Sequence, residues 1–475
     1  MTLSKRMFIN GQWKEGKTSY KLKSPYSGEV VAEIPFSTKE DVLEAVQSAK
    51  EAQRKMKALT ALERSNILEK AARLFEKQFE ECALILTKEN AKPLKAARGE
   101  VLRTIETYKF AAEEAKKLTG ETIPMDAAKG GKGKFGFTKR EPLGVIGAIT
   151  PFNFPFNLVA HKLGPAFAAG NTVVLKPASQ TPLSAIKTAE IFEMAGLPAG
   201  ALQVVIGRGG EIGDVLVTHS DIKLITFTGS VEVGLDIKAK SGLKKTTLEL
   251  GSNSAVIIDS IKDIEQVSRR CVEGAFTFSG QVCISVQRIF VRRELYKQVI
   301  EIMTRTAMDL KIGDPAEEST DVSAMILEKE AIRAEEWIKE AENAGAEILC
   351  GGKRNGSIIE PTIIANAPLH LSINCKEAFA PIVLINPYND FEEAIRYVND
   401  SPYGLQAGVY TESIEQAFHA IEEIEVGGVI INDIPSFRVD QMPYGGVKDS
   451  GTGREGIKYA TEEMTELKLA VFNLD

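Results

Sequence analysis

The sequence predicts an α/β fold built on parallel sheets. The first observation is order. From about residue 143, short apolar runs alternate with helical patterns: 172–176 before a helix at 183–195, 202–206 before 212–218, and 223–227 before 231–241. Successive strands joined through helices pair in parallel. The second is composition. These runs are continuously apolar, as in strands covered on both faces, and do not alternate. The third is length. A chain of 475 residues exceeds one compact core, so about two or three domains are expected.

Before residue 143, helices are expected at 39–56, with Val42, Ala45, Val46 and Ala49 on one face, at 62–75 and at 101–118. Residues 126–140 are rich in Gly and Lys, have no helical period, and read as an exposed hairpin. After Gly251 a second α/β series runs through a strand at 255–259, a helix at 264–276, a strand at 288–291, and helices at 295–310 and 328–344. The chain closes on an alternating run, 464–472. Its strand needs a partner, either the 126–140 hairpin or another subunit. The sequence contains no internal repeat.

Hydrophobic residues make up 44% and charged residues 26%, as in a soluble globular protein. A net charge of -7 argues against a nucleic-acid partner. The N-terminus lacks the apolar run of a secretion signal, so a cytoplasmic location is expected. Residues 142–161 carry no Lys, Arg, Asp or Glu, which raises the question of a membrane span. Pro142, Pro151, Pro155, Asn153 and Asn157 would be costly in lipid, so the stretch reads as a buried, loop-rich segment with no membrane role. Five cysteines, an odd number without C-x-x-C spacing, read as free thiols. The four histidines are scattered, and no metal site is expected.

The chemistry-bearing residues sit at strand ends. Thr228-Gly229-Ser230 follows the 223–227 run and opens a helix. It is either an ordinary Gly-Ser helix start or a turn whose amides face a phosphate. Lys176 ends the 172–176 run, as a solvated strand-end lysine or one placed to meet a ribose or phosphate. Cys283 follows a Gly280-Gln281 turn. It is either a buried structural thiol or a nucleophile on a constrained loop. Glu249 ends an apolar strand, where a carboxylate is paired or functional. Glu377 leads another apolar run. Asn153, flanked by Phe152 and Phe154, satisfies its own backbone or serves as a fixed donor.

Taken in order, Thr150-Pro151-Phe152-Asn153-Phe154-Pro155, Leu175-Lys176-Pro177-Ala178, Phe227-Thr228-Gly229-Ser230, Leu248-Glu249-Leu250-Gly251, Gly280-Gln281-Val282-Cys283, Glu377-Ala378-Phe379-Ala380-Pro381 and Pro443-Tyr444-Gly445-Gly446-Val447-Lys448-Asp449-Ser450-Gly451 resemble the aldehyde dehydrogenase superfamily along essentially the whole chain. Within it, the sequence is similar to the branch of lactaldehyde, succinate-semialdehyde and sulfolactaldehyde dehydrogenases. The resemblance implies a Rossmann-like cofactor domain (1–123 and 143–251), an α/β catalytic domain (252–458) and a small β oligomerisation bridge (124–142 and 459–475) that builds a homodimer or homotetramer.

It also implies roles. Cys283 attacks a small aldehyde, Asn153 and the Cys283 N–H hold the oxyanion, and Glu249 activates water to hydrolyse the thioester. The cofactor, NAD or NADP, would be held by Thr150, Pro151, Phe152, Lys176, Ser179, Gly209, Gly213, Phe227, Gly229, Ser230, Leu250, Glu377 and Phe379. Ser179 stands where NAD-preferring members often carry Glu, so it does not repel a 2′-phosphate, and NADP is expected to serve at least as well as NAD. A second departure is Ser252, where the family commonly has Gly, which could narrow the turn after Glu249. Arg438, with Arg103 and His161, is expected to meet an anionic or hydroxylated tail. The alternative is that Arg438 pairs with Asp440 or another local acid, Arg103 is solvated and His161 packs in the core. Two rivals to the hydrolytic enzyme are a CoA-acylating dehydrogenase and a non-catalytic protein on the same fold.

Overall fold

The structure, a computed structural model, describes residues 3–474. Met1, Thr2 and Asp475, which the first and last ranges above include, lie outside the described residues. An eight-stranded sheet runs in the order Gly451–Thr452, Lys245–Glu249, Ile222–Thr228, Val145–Ile149, Thr172–Lys176, Leu202–Val204, Met7–Ile9, Gln12–Lys14. Its five middle strands are parallel, and antiparallel strands close both edges. Helices Asn157–Ala169, Pro182–Ala195 and Val231–Lys240 connect the parallel strands. Every residue of Val145–Ile149 and Thr172–Lys176 is buried, as strands covered on both faces must be.

The order of this sheet matters for the site. Val145–Ile149 is first of the parallel strands in sequence; the next two extend the sheet to one side and the last two to the other. The direction reverses between Val145–Ile149 and Ile222–Thr228. A crevice opens at the carboxyl ends of strands at such a point. Those ends are Thr150-Pro151-Phe152-Asn153 and Gly229-Ser230.

A seven-stranded sheet forms the other half: Glu347–Cys350, Thr362–Ala365, Ile382–Tyr388, Arg288–Arg292, Ala255–Ile258, Gln406–Tyr410, Gly428–Ile431. All pairs are parallel except the first. Val256, Ile258, Val272, Phe276, Ile289 and Val291 form its core against helix Ile264–Phe276.

Several expectations need correction. Residues 126–140 hold only one arm of a hairpin, whose other arm, Thr122–Ile123, precedes them and pairs antiparallel with Phe137 and Gly136. Met125–Ala127 and Lys129–Gly131 form tight turns, and Lys134–Pro142 is one strand. The Gly-rich tract is a turn of close approach: a Cβ on Gly131 would sit 1.7 Å from the Met125 carbonyl oxygen. The chain-end strand Thr465–Asn473 pairs along the whole of Lys134–Pro142, from Thr465 opposite Pro142 to Asn473 opposite Lys134. Its Leu467, Leu469 and Val471 share one exposed face.

Residues 142–161 are less loop-rich than expected, because their prolines stand at element ends and not inside them. Strand Val145–Ile149 and the start of helix Asn157–Ala169 occupy half of the stretch, and the loop between them most of the rest. Among the described residues no helix is long and apolar enough to cross a membrane. Four helices, not three, precede the first parallel strand: Lys39–Ala58, Ala61–Lys77, Phe79–Asn90 and Leu94–Glu114. The first two carry capping boxes, Thr38 with Asp41 and Thr60 with Glu63. Phe79–Asn90 follows through Gln78 with no side-chain cap, so no signal marks its start.

Candidate active site

Helix Ile264–Phe276 delivers the thiol loop. Phe278, Ser279 and Gly280 have φ of 49°, 54° and 68°, three successive left-handed residues. For Phe278 and Ser279 this costs about 1–2 kcal/mol each, so neighbours must fix it. Ser279 Oγ donates to the Ser323 carbonyl (2.8 Å), and Gln281 Oε1 accepts from the Ile326 N–H (3.0 Å). Gly280 is obligatory, since a Cβ there would lie 2.1 Å from the Ala380 carbonyl oxygen. The half-buried Cys283 ends the loop with Sγ 2.9 Å from Tyr444 Oη. Burial pushes its thiol up to about 11, against the Tyr444 hydrogen bond and the Arg438 charge. Cys82 and Cys271 are fully buried, Cys350 lies on an edge strand, and Cys375 ends a short helix on the surface.

Asn153 reaches the thiol loop from the strand Val145–Ile149. Its Nδ2 donates to the Gln281 carbonyl (3.0 Å), and its Oδ1 has no partner. The loop is held from below by Lys92, which is fully buried. Lys92 Nζ donates to the Asn153 carbonyl (2.6 Å) and to Glu100, and lies 3.9 Å and 4.4 Å from the ring centres of Phe154 and Phe278. The other Glu100 oxygen accepts from the N–H groups of Phe156 (2.8 Å) and Asn157 (3.2 Å), at the start of helix Asn157–Ala169.

Glu249 ends its strand opposite Thr228 on one side and Gly451 on the other. It is 3% exposed, and neither carboxylate oxygen has a partner. Burial, then the Glu455 carboxylate, push it well above the usual range. Glu377 Oε1 accepts from the Ser252 N–H (3.0 Å), and burial raises Glu377 to about 7. Ser252 does not crowd this turn. Its hydroxyl pairs with Ser254 (3.1 Å), and the spatial demand falls on Gly251, whose Cβ would sit 2.6 Å from Glu377 Oε2.

A cleft of about 360 Å³ brings together Pro151, Phe152, Asn153, Gly229, Ser230, Glu249, Leu250, Cys283, Glu377 and Phe379. The rings of Phe152 and Phe379 meet edge to face at 5.9 Å. Gly229 lies under Phe227, where a Cβ would come within 2.5 Å of the ring, and Ser230 caps helix Val231–Lys240. Thr150, Lys176 and Ser179 lie at the carboxyl ends of the adjoining strands, outside the lining of this cleft. Gly209 and Gly213 bound a wide helical turn and do not line it either. The donors fit a dinucleotide. Thr150 Oγ1 is buried without a partner, and the buried Lys176 ammonium has one long contact, 3.5 Å to the Pro177 carbonyl. Burial pushes Lys176 down to about 8. Among the described residues no group of His, Cys, Asp or Glu is placed to hold a metal ion.

The sequence profile of the aldehyde dehydrogenase family matches residues 13–470. The chain belongs to that family. It is an oxidoreductase acting on aldehydes, in a family that uses NAD(P). It is 47% identical to 3-sulfolactaldehyde dehydrogenase of Priestia aryabhattai over 468 residues, 98% of each chain. The fold superposes on aldehyde dehydrogenase 21 from Physcomitrella patens, in complex with the reaction product succinate, with TM-score 0.98 and 42% identity, covering 100% and 99% of the two chains. It also superposes on the NADP-dependent glyceraldehyde-3-phosphate dehydrogenase of Bacillus halodurans complexed with NADP, with TM-score 0.97, 38% identity and full coverage of both chains.

In this aldehyde dehydrogenase Arg103, His161 and Arg438 do converge, but on protein acids. Arg103 Nη2 and His161 Nε2 lie 2.7 and 2.8 Å from Asp440 Oδ1. Arg438 Nη2 lies 3.0 Å from Glu455 Oε2 and 3.2 Å from His161 Nε2. Because His161 Nε2 faces both an acceptor and a donor, only one contact is a hydrogen bond, and the shorter one to Asp440 is the better. Arg438 is therefore not the free fork expected from sequence. A buried guanidinium needs a counterion, and Glu455 provides it. None of the three lines the cleft. Arg103 remains partly open, its side chain 30% exposed with Nε unpartnered.

Sequence reasoning passed over Lys92, Glu100, Lys162, Glu455 and Tyr444. Lys162 is buried in an otherwise apolar helix and donates to Thr228 Oγ1 (2.8 Å), Thr226 Oγ1 (3.1 Å) and Glu455 Oε1 (3.1 Å). A charge inside an apolar helix was the available signal. Glu100→Ala would strand the Lys92 charge and should cost ~3–5 kcal/mol of stability, read as a lower urea midpoint. A loss near the ~0–1 kcal/mol of a surface pair would show that the pair does not hold the loop.

Proposed function

We propose that the protein oxidises a short polar aldehyde, with an anionic or hydroxylated tail, to its carboxylic acid through a thioester on Cys283 that water resolves. Glu249 carries this reading: a dry carboxylate with both oxygens unpartnered, in the same cleft as a thiol on a strained loop. Such a group is held ready for a proton.

Cys283, as thiolate, attacks the aldehyde carbon, and the electron pair moves to the carbonyl oxygen. The Asn153 amide, whose second N–H is not engaged by Gln281, and the Cys283 N–H donate to that oxygen, worth ~2.7–4 kcal/mol per donor. The nicotinamide, when bound, supplies the hydride acceptor. Glu249 then takes a proton from water, whose oxygen attacks the thioester and releases acid and thiolate. Resolution by CoA would need no base for water, so the unpartnered Glu249 supports hydrolysis. Lys176, Ser179, Gly229, Ser230, Glu377 and Phe379 would hold the cofactor, with Glu377 at the nicotinamide ribose. The exposed Leu467, Leu469 and Val471 face fits the homodimer or homotetramer expected from the resemblance.

Glu249→Gln should give one burst of NAD(P)H and then stall as acyl-enzyme, detectable by mass spectrometry. Normal steady-state turnover in that variant would remove Glu249 from the role. Only the ionised form of Glu249 accepts a proton, and its pKa is raised. The wild-type hydrolysis rate should therefore fall as pH drops through a value above the ordinary Glu range.

NADP should be used at least as well as NAD. Ser179 is uncharged and donates to the Gly207 carbonyl (3.1 Å); the next residue, Arg208, is 72% exposed. Lys176 and Arg208 thus supply positive charge beside an uncharged Ser179, with Glu211 3.7 Å from Arg208 as the nearby acid. The measure is kcat/KM with each cofactor. A preference for NAD above tenfold, ~1.4 kcal/mol, contradicts it.

The tail preference rests on Arg103, whose side chain is partly open and whose Nε, like that of the buried Arg438, has no partner, and on relatives named for sulfolactaldehyde and solved with succinate. Arg103→Ala should lose ~1.5–3 kcal/mol in kcat/KM for anionic aldehydes and little for neutral ones of equal length. Equal losses for both would make Arg103 structural.

A further inference from the structure

Tyr444 is 3% exposed, and its phenol oxygen lies 2.9 Å from the Cys283 sulfur. Its backbone is fixed from both sides: its N–H donates to the Glu455 carbonyl (3.0 Å), and its carbonyl accepts from the Glu455 N–H (2.6 Å). Ile284 and Leu405 pack beside it in one apolar cluster. The ring therefore has little room to swing away from the thiol. Over its face lies the Arg438 guanidinium, 3.7 Å from the ring centre and anchored on Glu455.

We propose that Tyr444 is the donor that holds Cys283 as thiolate, its hydroxyl giving a hydrogen bond to sulfur while Arg438 polarises the ring. This rests on Cys283 being the nucleophile. A thiolate accepts and cannot donate, whereas a phenol can do either, so ionisation of the thiol settles the direction of the bond. A cation on the ring face draws electron density from the phenol and makes its O–H the better donor. The other charges facing this pair oppose a thiolate: Glu249 from its strand end and Glu377 from its loop. Glu455 is spent on Arg438 and Lys162. Arg438 is the cation whose charge favours the thiolate. The proton that the thiol gives up passes to water.

This assigns Arg438 a task distinct from that of Arg103. Arg438 touches the reacting thiol through the ring, so its loss should affect every aldehyde alike. Arg103 instead bonds Asp440.

The test needs no aldehyde. Iodoacetamide alkylation of Cys283 in the full chain is followed by peptide mass spectrometry across the pH range in which thiols ionise. In Tyr444→Phe the ring stays and the donor goes, so the alkylation midpoint should rise by roughly one pH unit, the size of one hydrogen bond to an ionised group. NADPH affinity, read by fluorescence, should not change and certifies the fold. Arg438→Gln should move the midpoint in the same direction by less. A midpoint unmoved or lowered in Tyr444→Phe overturns the proposal, and one unmoved in Arg438→Gln overturns the part assigned to the ring. Cys283→Ala tests the underlying reading separately. If it abolishes turnover while Tyr444→Phe leaves the midpoint in place, only Tyr444 loses its role; if it still turns over, the nucleophile itself is wrong.

Discussion

A buried lysine donating to a backbone carbonyl decides where the cleft lies. Lys92 ties the Asn153 carbonyl to Glu100, and Glu100 in turn receives the first N–H groups of helix Asn157–Ala169. The same ammonium sits between Phe154, on the Asn153 loop, and Phe278, on the thiol loop. One charge pair thus sets both loops in register, and the Asn153 amide comes to rest on the Gln281 carbonyl, two residues before the thiol. The desolvation of two charges is a large penalty, offset only by good geometry and further hydrogen bonds. All of these are present here. The three left-handed residues before Cys283 are held by the Ser279 and Gln281 hydrogen bonds and by Lys92 against the Phe278 ring.

Around the cleft, charges are arranged so that two carboxylates take opposite characters. Against burial, Lys162 and Arg438 hold Glu455 down to about 2, while Glu249, close by and without a bonded cation, is raised. Like charges in a dry space do not ionise together easily, and an asymmetric supply of cations decides which one keeps its proton. His161 is pressed by burial and by Arg438 toward its neutral form, with Asp440 pulling the other way. Every cation of this network is matched with an acid, Arg103 with Asp440, but only Arg103 is partly open to solvent.

The residues that border strand ends and Gly turns were legible in the sequence as candidates, and the resemblance supplied the roles expected of them. Glu249 and Ser230 border strand ends, Cys283 follows a Gly turn, and each lands in the cleft. The parallel sheet was legible too, since covered strands must be continuously apolar. What stayed hidden has non-local causes. For Arg438 a substrate tail and a local acid both stayed open, because its partner Glu455 lies 17 positions on, outside the local pattern. Lys162 and Glu455 stand 293 positions apart. Tyr444 looks like one more motif aromatic until the thiol is placed beside it. The hairpin at 126–140 was placed a few residues late, because its first arm is only Thr122–Ile123, ahead of the glycines.

The late arrival of the C-terminal segment has a consequence for how the molecule comes into being. Tyr444, Arg438, Asp440 and Glu455 all lie near the end of the chain, as do the edge strand Gly451–Thr452 and the strand Thr465–Asn473 that closes over Lys134–Pro142. These contacts span hundreds of positions, so the loops they close carry the largest entropic cost and form last. During synthesis Cys283 emerges long before the groups that surround it. The nascent chain can build its parallel strands in order, but its thiol stays without its tyrosine and its carboxylate without a floor. On the proposed reading, reactivity is in this way deferred until these segments have been made, and a chain cut short of residue 438 would carry its thiol without Arg438 and Tyr444.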